Sequence, residues 1–415
     1  MYREVLGNRQ FLKLWGAQLA SQVAAQLLNY GLIIRIYEIA KGTAYANSAV
    51  SLLIVAIGIP AIIFAVPAGA YVDQRDRKRV LVWTNAIRAG LVPLFFVVDT
   101  NIAAVYALAL AISVFSQFFV PAEGAALPRL VKPEHLPVAN SFFIFTLNAS
   151  FILGYSLAAP LINSFGILAV YVAVTIAFLT ALGLTLSLPP MKPPMKVRFD
   201  VKHTIAAVRH DLVAHFKHII GERTLLFPIL LISLAQTIVG VVAALAPSMA
   251  QELFGKSLAE TSQWLVLPAG IGLIFGSVVA GKLLQQVSKV RLIFVALFAA
   301  SSILVLLAAI PMLAKIFPIA PLTATMTFTL GFLDAAILVA AQTLLQLAST
   351  DRLRGQIFGT LNMMINIAAL LPVFLAGLLA DIFAPLSVLG ALGIGLILVG
   401  FVFMRIFGKI SREYA

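Results

Sequence analysis

The stretch Gly69-Ala-Tyr-Val-Asp-Gln-Arg-Asp-Arg-Lys-Arg79 decides how this chain folds, because six of its eleven residues are charged and apolar runs flank it at 48–72 and 80–98. A run of about 20 apolar residues crosses the ~30 Å hydrocarbon core of a bilayer as one helix, so a short charged break between two such runs reads as a turn at the membrane surface. The same alternation continues outward to both ends of the sequence. Further spans are expected at 11–39, 103–127, 137–163 and 166–188, and, beyond a longer break, at 223–250, 262–284, 290–311, 319–348, 355–381 and 385–406. The expected fold is an all-α polytopic membrane protein of twelve transmembrane helices in two pseudo-repeated six-helix bundles. Composition agrees, with 61% hydrophobic and 11% charged residues where a soluble domain is about a quarter charged.

The net charge of +13 follows topology and does not point to nucleic acid. Of the 29 Lys and Arg, 24 fall at the two ends or in the breaks 73–79, 128–136, 189–222, 285–289 and 349–354, counting a few residues into the helix ends. Only Lys41, Lys256 and Lys315 mark the opposite breaks, so the positive-inside rule places both termini in the cytoplasm of a bacterial-type cell membrane. The basic N-terminus leads into an apolar stretch too long for a cleaved signal and reads as a retained first helix. Cysteine is absent, which excludes disulfides and thiolate metal sites.

The long break opens with Pro189, Pro190, Pro193 and Pro194, which cannot continue a helix. It divides the chain into bundles at 1–188 and 223–415 with a linker at 189–222. Within the linker, Val201, Ile205, Val208, Leu212, Phe216 and Ile219 recur at helical spacing opposite Lys202, Arg209 and Lys217, predicting an amphipathic helix against anionic lipid. His203, His210, His215 and His218 also lie there. Asp211, His215 and His218 share a face with metal-ligand spacing, but a solvated polar face explains them without a metal.

The halves carry a faint repeat: residues 69–79 align without gaps on Gly281-Lys-Leu-Leu-Gln-Gln-Val-Ser-Lys-Val-Arg291, 212 residues later and at the equivalent span end. Gly69, Asp73, Arg77 and Lys78 stand in the register of the Gly-x-x-x-Asp-Arg-x-Gly-Arg-Lys/Arg signature, so the chain resembles the major facilitator superfamily. It departs from the signature at Gln74 and Asp76. The stretches Phe119-Val-Pro-Ala-Glu123, Leu127-Pro-Arg-Leu-Val131 with Ala139-Asn-Ser141, and Arg354-Gly-Gln-Ile-Phe-Gly359 are similar to the branch containing macrolide-efflux proteins and the enterobactin exporter. This resemblance implies a transporter in which Asp73 faces the helix end at Arg354 and Gly355, with Arg129 on the same cytoplasmic gate. A carboxylate at a helix N-terminus is favoured by the helix dipole. The competing reading is that this charge only sets topology.

Most acidic residues, including Glu38, Asp99, Glu123 and Asp381, are read as lying in loops or at span ends. Asp334 is the exception, about 15 residues into span 10 and so about 22 Å deep at 1.5 Å per residue. A lipid-facing carboxylate there costs about 2.5–3.5 kcal/mol on insertion scales, so it should turn inward, where it suits a proton carrier or a structural hydrogen bond. Arg88 is expected either to snorkel or to pair with an acid on another helix. Arg35 and Glu38 share a helix face near the outer end of span 1, as an ion pair or interfacial anchors. Gln18, Gln22, Gln26 and Asn29 form a stripe on one face of span 1, and Gln236, Gln342, Asn362 and Asn366 extend similar faces on spans 7, 10 and 11. Such amides serve either interhelical hydrogen bonds or a wet substrate path.

These residues suit a secondary active transporter, a proton-coupled exporter of a small amphipathic compound, monomeric and in contact with membrane lipid. No Gly-x-x-x-x-Gly-Lys-Ser/Thr occurs, and no cofactor or nucleic-acid signature stands out. A lipid or lysophospholipid flippase and a non-transporting sensor or scaffold remain alternatives. An enzyme is not expected, because no cluster of catalytic groups lies at the membrane surface.

Overall fold

The computed structural model describes residues 2–98, 100–192, 221–284, 286–348 and 354–407. The predicted amphipathic helix and the four linker histidines lie outside these residues. Twelve long helices are present: α1 Arg9–Ala40, α2 Ala46–Asp73, α3 Arg77–Leu91, α4 Ile102–Leu130, α5 Leu136–Phe165, α6 Ile167–Leu186, α7 Arg223–Phe254, α8 Leu258–Leu283, α9 Lys289–Ala308, α10 Ile319–Ala348, α11 Arg354–Ile382 and α12 Pro385–Phe407. A short helix, Tyr2–Gly7, precedes α1. Among the described residues, ten helices are long and apolar enough to cross a membrane. The expected spans match the helices to within a few residues, because each break contains the residues that end a helix in lipid.

Those ends are built from caps. Asn8 Oδ1 accepts from the amides of Gln10 and Phe11, and its Nδ2 donates 2.6 Å to the Leu130 carbonyl, tying the start of α1 to the end of α4. Asn101 caps α4, and Ser257 and Glu260 form a reciprocal capping box on α8. Gly255, at φ +64, ends α7 in the left-handed region that an L side chain resists. Prolines inside α2, α4, α5, α7, α8 and α11 do not break them. The bilayer leaves an unpaired backbone group no better partner than its own helix.

The helices divide into two compact units. One holds the chain up to Arg35 together with the segment from Ala56 through α6; the other holds Ile36–Val55 with α7 to α12. The core of the first gathers Phe11, Leu14, Leu81, Phe119, Phe143 and Met191, and that of the second Phe227, Ile229, Ile293, Ala340, Leu344 and Ile365. In lipid the hydrophobic effect does little to join helices, so close packing of small residues must do it. The tightest crossing lies in the second unit. Gly272 and Gly276, one turn apart on α8, lie against the backbone of Phe328 and Phe332 on α10, and Gly331 on α10 lies against the backbone of Ala269. No side chain fits between these two backbones.

The outer part of α1 and the start of α2 belong to the second unit, and an acid anchors them there. Asp381, at the end of α11, accepts from the backbone amides of Asn47 (2.8 Å) and Ser48 (2.9 Å) and from the Ser48 hydroxyl, while Asn47 Nδ2 donates to the Ala380 carbonyl. Asp381 therefore serves as the N-terminal cap of α2 from a distant helix. Charge-assisted bonds of this kind contribute about 1.5–3 kcal/mol. Asp381→Ala is expected to lower the melting temperature of the purified protein in detergent, and Asp381→Asn to lower it less, because an amide oxygen still accepts. Equal melting temperatures for Asp381→Ala and wild type would contradict this role.

Candidate functional site

Asp334 lies on α10, which runs unbroken from Ile319 to Ala348, so its depth is as the sequence implied. Its side chain is 2% exposed, and Oδ1 has no hydrogen-bond partner. The neighbouring turns supply Leu330, Ala335, Ala336 and Ile337, all buried. A carboxyl oxygen without a donor is expensive in such surroundings unless a proton, a cargo group or water meets it.

A second buried carboxyl was misplaced by the sequence reading. Glu123 was assigned to a span end, but Pro128 does not stop α4, which continues to Leu130 and carries Glu123 two turns inside the helix. It is 4% exposed. Gln18 Nε2 donates to its Oε1 at 3.1 Å and reaches the Phe143 carbonyl at 3.4 Å, while Glu123 Oε2 has no partner. Arg88 of α3 neither snorkels nor forms a direct ion pair with Glu123; it is 2% exposed and sits between the rings of Phe119 (4.5 Å) and Phe178 (4.7 Å). Asn85 Oδ1 accepts from its guanidinium at 2.7 Å, and the Thr84 carbonyl and Ser116 hydroxyl accept at 3.3 and 3.4 Å. Cation–π contacts and these three acceptors replace the water that the guanidinium has lost.

The charged break 73–79 is organised around Asp76, one of the two departures from the family signature. Asp76 Oδ1 accepts from the amide of Lys78 and from the amide of Met191, and the Arg77 amide donates back to the Met191 carbonyl. Asp76 is thus the N-cap of α3 and also holds the segment that follows α6. Its φ of −67° is open to any residue, so glycine is not needed there. Ser288, 212 residues later, caps α9 in the same manner by accepting from Arg291. The faint repeat therefore has a physical content: in both halves an oxygen-bearing side chain starts the helix after the break. Asp76→Ala is expected to cost about 1 kcal/mol from the cap alone and to expose the 187–192 segment to protease. Digestion identical to wild type would contradict the tether.

The other residues singled out from the sequence are spread over both units. Asp73 and Arg129 are exposed, Gly69 and Lys78 are half-buried, and Arg77 is buried with its guanidinium on the carbonyls of Asp73 and Arg75. α11 begins at Arg354; of Arg354, Gly355 and Asn362 only the helical backbone is described. In the amide stripe of α1, Gln18 is buried while Gln22, Gln26 and Asn29 are half-buried, and Gln26 packs against Gly154 of α5. Asn366 is half-buried, and Gln236 and Gln342 are exposed on the second unit. Arg35 is half-buried and Glu38 exposed. The arrangement joins Gln18 to Glu123, a pairing that residue spacing within one helix could not reveal.

A sequence profile of the Major Facilitator Superfamily matches residues 14–371. Over 372 residues the chain is 24% identical to the uncharacterized MFS-type transporter YfiS of Bacillus subtilis (strain 168), covering 88% of this chain and 86% of that one. The uncharacterized MFS-type transporter YkuC of the same organism is 28% identical over 166 residues, 40% of this chain, and the chain spans only 38% of that relative's length. Among solved structures, the nucleoside transporter NupG superposes with a TM-score of 0.75 at 14% identity, over 96% of this chain and 100% of the other. A bacterial homologue of the iron transporter ferroportin gives 0.70 at 16% identity, over 96% and 98%. At these identities the structural likeness speaks for the fold alone.

Proposed function

The chain belongs to the Major Facilitator Superfamily and is a multi-pass membrane transporter, not an enzyme, and on that footing we propose that it is a proton-coupled exporter of a small amphipathic compound working by alternating access. The observation that carries this reading is Asp334, a carboxyl deep in a transmembrane helix with one oxygen left without a donor. Such a group can hold a proton in one state of the cycle and release it in another, and intramembrane acids of this kind mark proton and substrate pathways. Exposed amides at Gln236 and Gln342, on helices that cross hydrocarbon, support a wet route for cargo, since lipid offers an amide no partner. Export is supported by the resemblance of residues 119–141 and 354–359 to the macrolide-efflux and enterobactin-exporter branch. The basic breaks support cytoplasmic termini in a bacterial-type inner membrane.

A second reading, a lipid or lysophospholipid flippase, is favoured by one feature of the second unit. A groove of about 820 Å³ runs between α7, α11 and α12, walled by Leu230, Leu371, Leu375, Leu379, Leu396 and Phe403. The Ser233 and Thr237 hydroxyls on its wall are spent on their own helix, leaving a surface suited to hydrocarbon.

The deciding experiment is flux in proteoliposomes with an imposed pH gradient, across a panel of amphipathic drugs, siderophores and labelled lysophospholipids. Gradient-driven movement of a soluble amphipath supports the exporter. Headgroup-dependent movement that ignores the gradient supports the flippase, and absence of any flux removes both.

A further inference from the structure

We propose that Glu123 is a second proton-exchanging carboxyl, housed in the first unit with Gln18 as its switching partner and Arg88 as its fixed countercharge. The proposal rests on the reading of this chain as a proton-coupled transporter and adds to it a proton site separate from Asp334.

Four observations carry it. First, Glu123 is almost entirely buried, and Oε2 makes no hydrogen bond. A permanently ionised carboxylate would be expected to gather donors on both oxygens, because each unpaired lone pair in a dry site costs free energy. Second, its one partner is an amide. A carboxylate needs a donor and a carboxylic acid needs an acceptor, and Gln18 can be either by turning its amide half a revolution. As it stands, Gln18 donates Nε2 to Glu123 Oε1 while its own Oε1 is buried and has no partner. After the turn, that oxygen would accept a proton carried on Glu123, while the Phe143 carbonyl that also receives Nε2 would give up only a long 3.4 Å contact.

Third, Arg88 is close enough to act on Glu123 through space but does not clasp it. A direct bidentate pair would hold Glu123 ionised, since removing one partner of a buried pair leaves an uncompensated charge at a cost of several kcal/mol. Here Arg88 keeps the Phe119 and Phe178 rings, Asn85, Thr84 and Ser116 whether or not Glu123 is charged. The proton can therefore come and go without stranding the guanidinium. Fourth, the surroundings contain no competing base. From α1 the cluster receives Gln18, from α3 Arg88, from α5 the Phe143 carbonyl and from α6 the Phe178 ring, and among the described residues Arg88 is the charge that Glu123 feels.

The balance of the step is simple. A proton binds Glu123, the carboxylate becomes neutral, Gln18 turns from donor to acceptor, and Arg88 retains its charge; release reverses each change. Asp334 has no such partner printed by the geometry around it, so the two carboxyls are expected to titrate independently.

The test uses the full chain in vesicles of phosphatidylethanolamine and phosphatidylglycerol and reads the carbonyl-stretch band of protonated carboxylic acids by infrared difference spectroscopy during a pH titration. Wild type should show two buried components. Glu123→Gln should remove one and Asp334→Asn the other, each leaving its counterpart in place. In Gln18→Ala the Glu123 component should remain but titrate at a displaced midpoint, an effect that a merely structural Gln18 would not produce. A Glu123→Gln spectrum that superimposes on wild type overturns the proposal. If Glu123→Gln does not fold, the Gln18→Ala midpoint decides, and an unmoved midpoint overturns it. The readout is protonation and not flux, so a transporter that ignores a pH gradient would overturn the export reading while leaving this titration to stand or fall alone.

Discussion

Asp334→Asn is expected to abolish transport driven by a pH gradient while leaving helix content and melting temperature close to wild type. Asparagine keeps the shape of the side chain and one carbonyl oxygen, and it relieves the site of any charge, so the helix packing around α10 should tolerate it. What it cannot do is bind and release a proton. The wild-type group sits 2% exposed in a helix of 30 residues, where holding a fixed charge costs about 2.5–3.5 kcal/mol on insertion scales. A carboxyl is retained at that cost only if its ability to change charge is used or its oxygens are bonded, and Oδ1 is not bonded. Asp334→Glu should keep part of the activity. Gradient-driven flux that is unchanged in Asp334→Asn would sink the assignment of Asp334 as a coupling group.

The second large effect is structural. Gly276→Leu should destabilise the second unit by about 2–3 kcal/mol or more, an overpacking cost that corresponds to a loss of several degrees in melting temperature for a unit of this size. The reason is the crossing of α8 and α10, where Gly276 faces the Phe332 carbonyl and Gly272 the Phe328 carbonyl with no room for a Cβ. Any side chain must push the two backbones apart and forfeit the contacts along their whole shared length, and lipid supplies no hydrophobic force to restore them. Gly281, on the same helix, has open space where a Cβ would stand. Gly281→Leu is therefore the control, expected to melt within experimental error of wild type. A Gly276→Leu protein as stable as that control would show that the crossing can relax.

The sequence resolved the membrane architecture because bilayer constraints are local and severe. Every span must be about 20 apolar residues, and every break must hold the polar groups that lipid refuses, so the twelve helices could be read within a few residues from apolar runs and basic turns. The burial of Asp334 was legible for the same reason: a lone acid in the middle of a long apolar run must turn inward. Glu123 was not legible. Pro128 and Arg129 suggested that the span ended at 127, and only the continuous α4 helix shows that Glu123 lies inside it.

Partnerships between distant residues were beyond the sequence altogether. Nothing in the spacing of Gln18, Arg88 and Glu123 connects them, since they lie on three helices, and the aromatic cage of Arg88 draws its rings from α4 and α6. The same is true of Asp381, which looked like an ordinary helix-end acid and instead caps α2 across more than 300 residues of chain. Asp76 looked like a flaw in a family signature, and the fold makes it the cap of α3 and the tether of Met191. Sequence by itself thus determined how many helices form, where they start and stop, and which family they belong to by resemblance, because each of those follows from the cost of placing polar groups in hydrocarbon. Tertiary structure alone decided which buried polar groups meet, because that depends on helix rotation and crossing, which small residues such as Gly272 and Gly276 set at van der Waals contact.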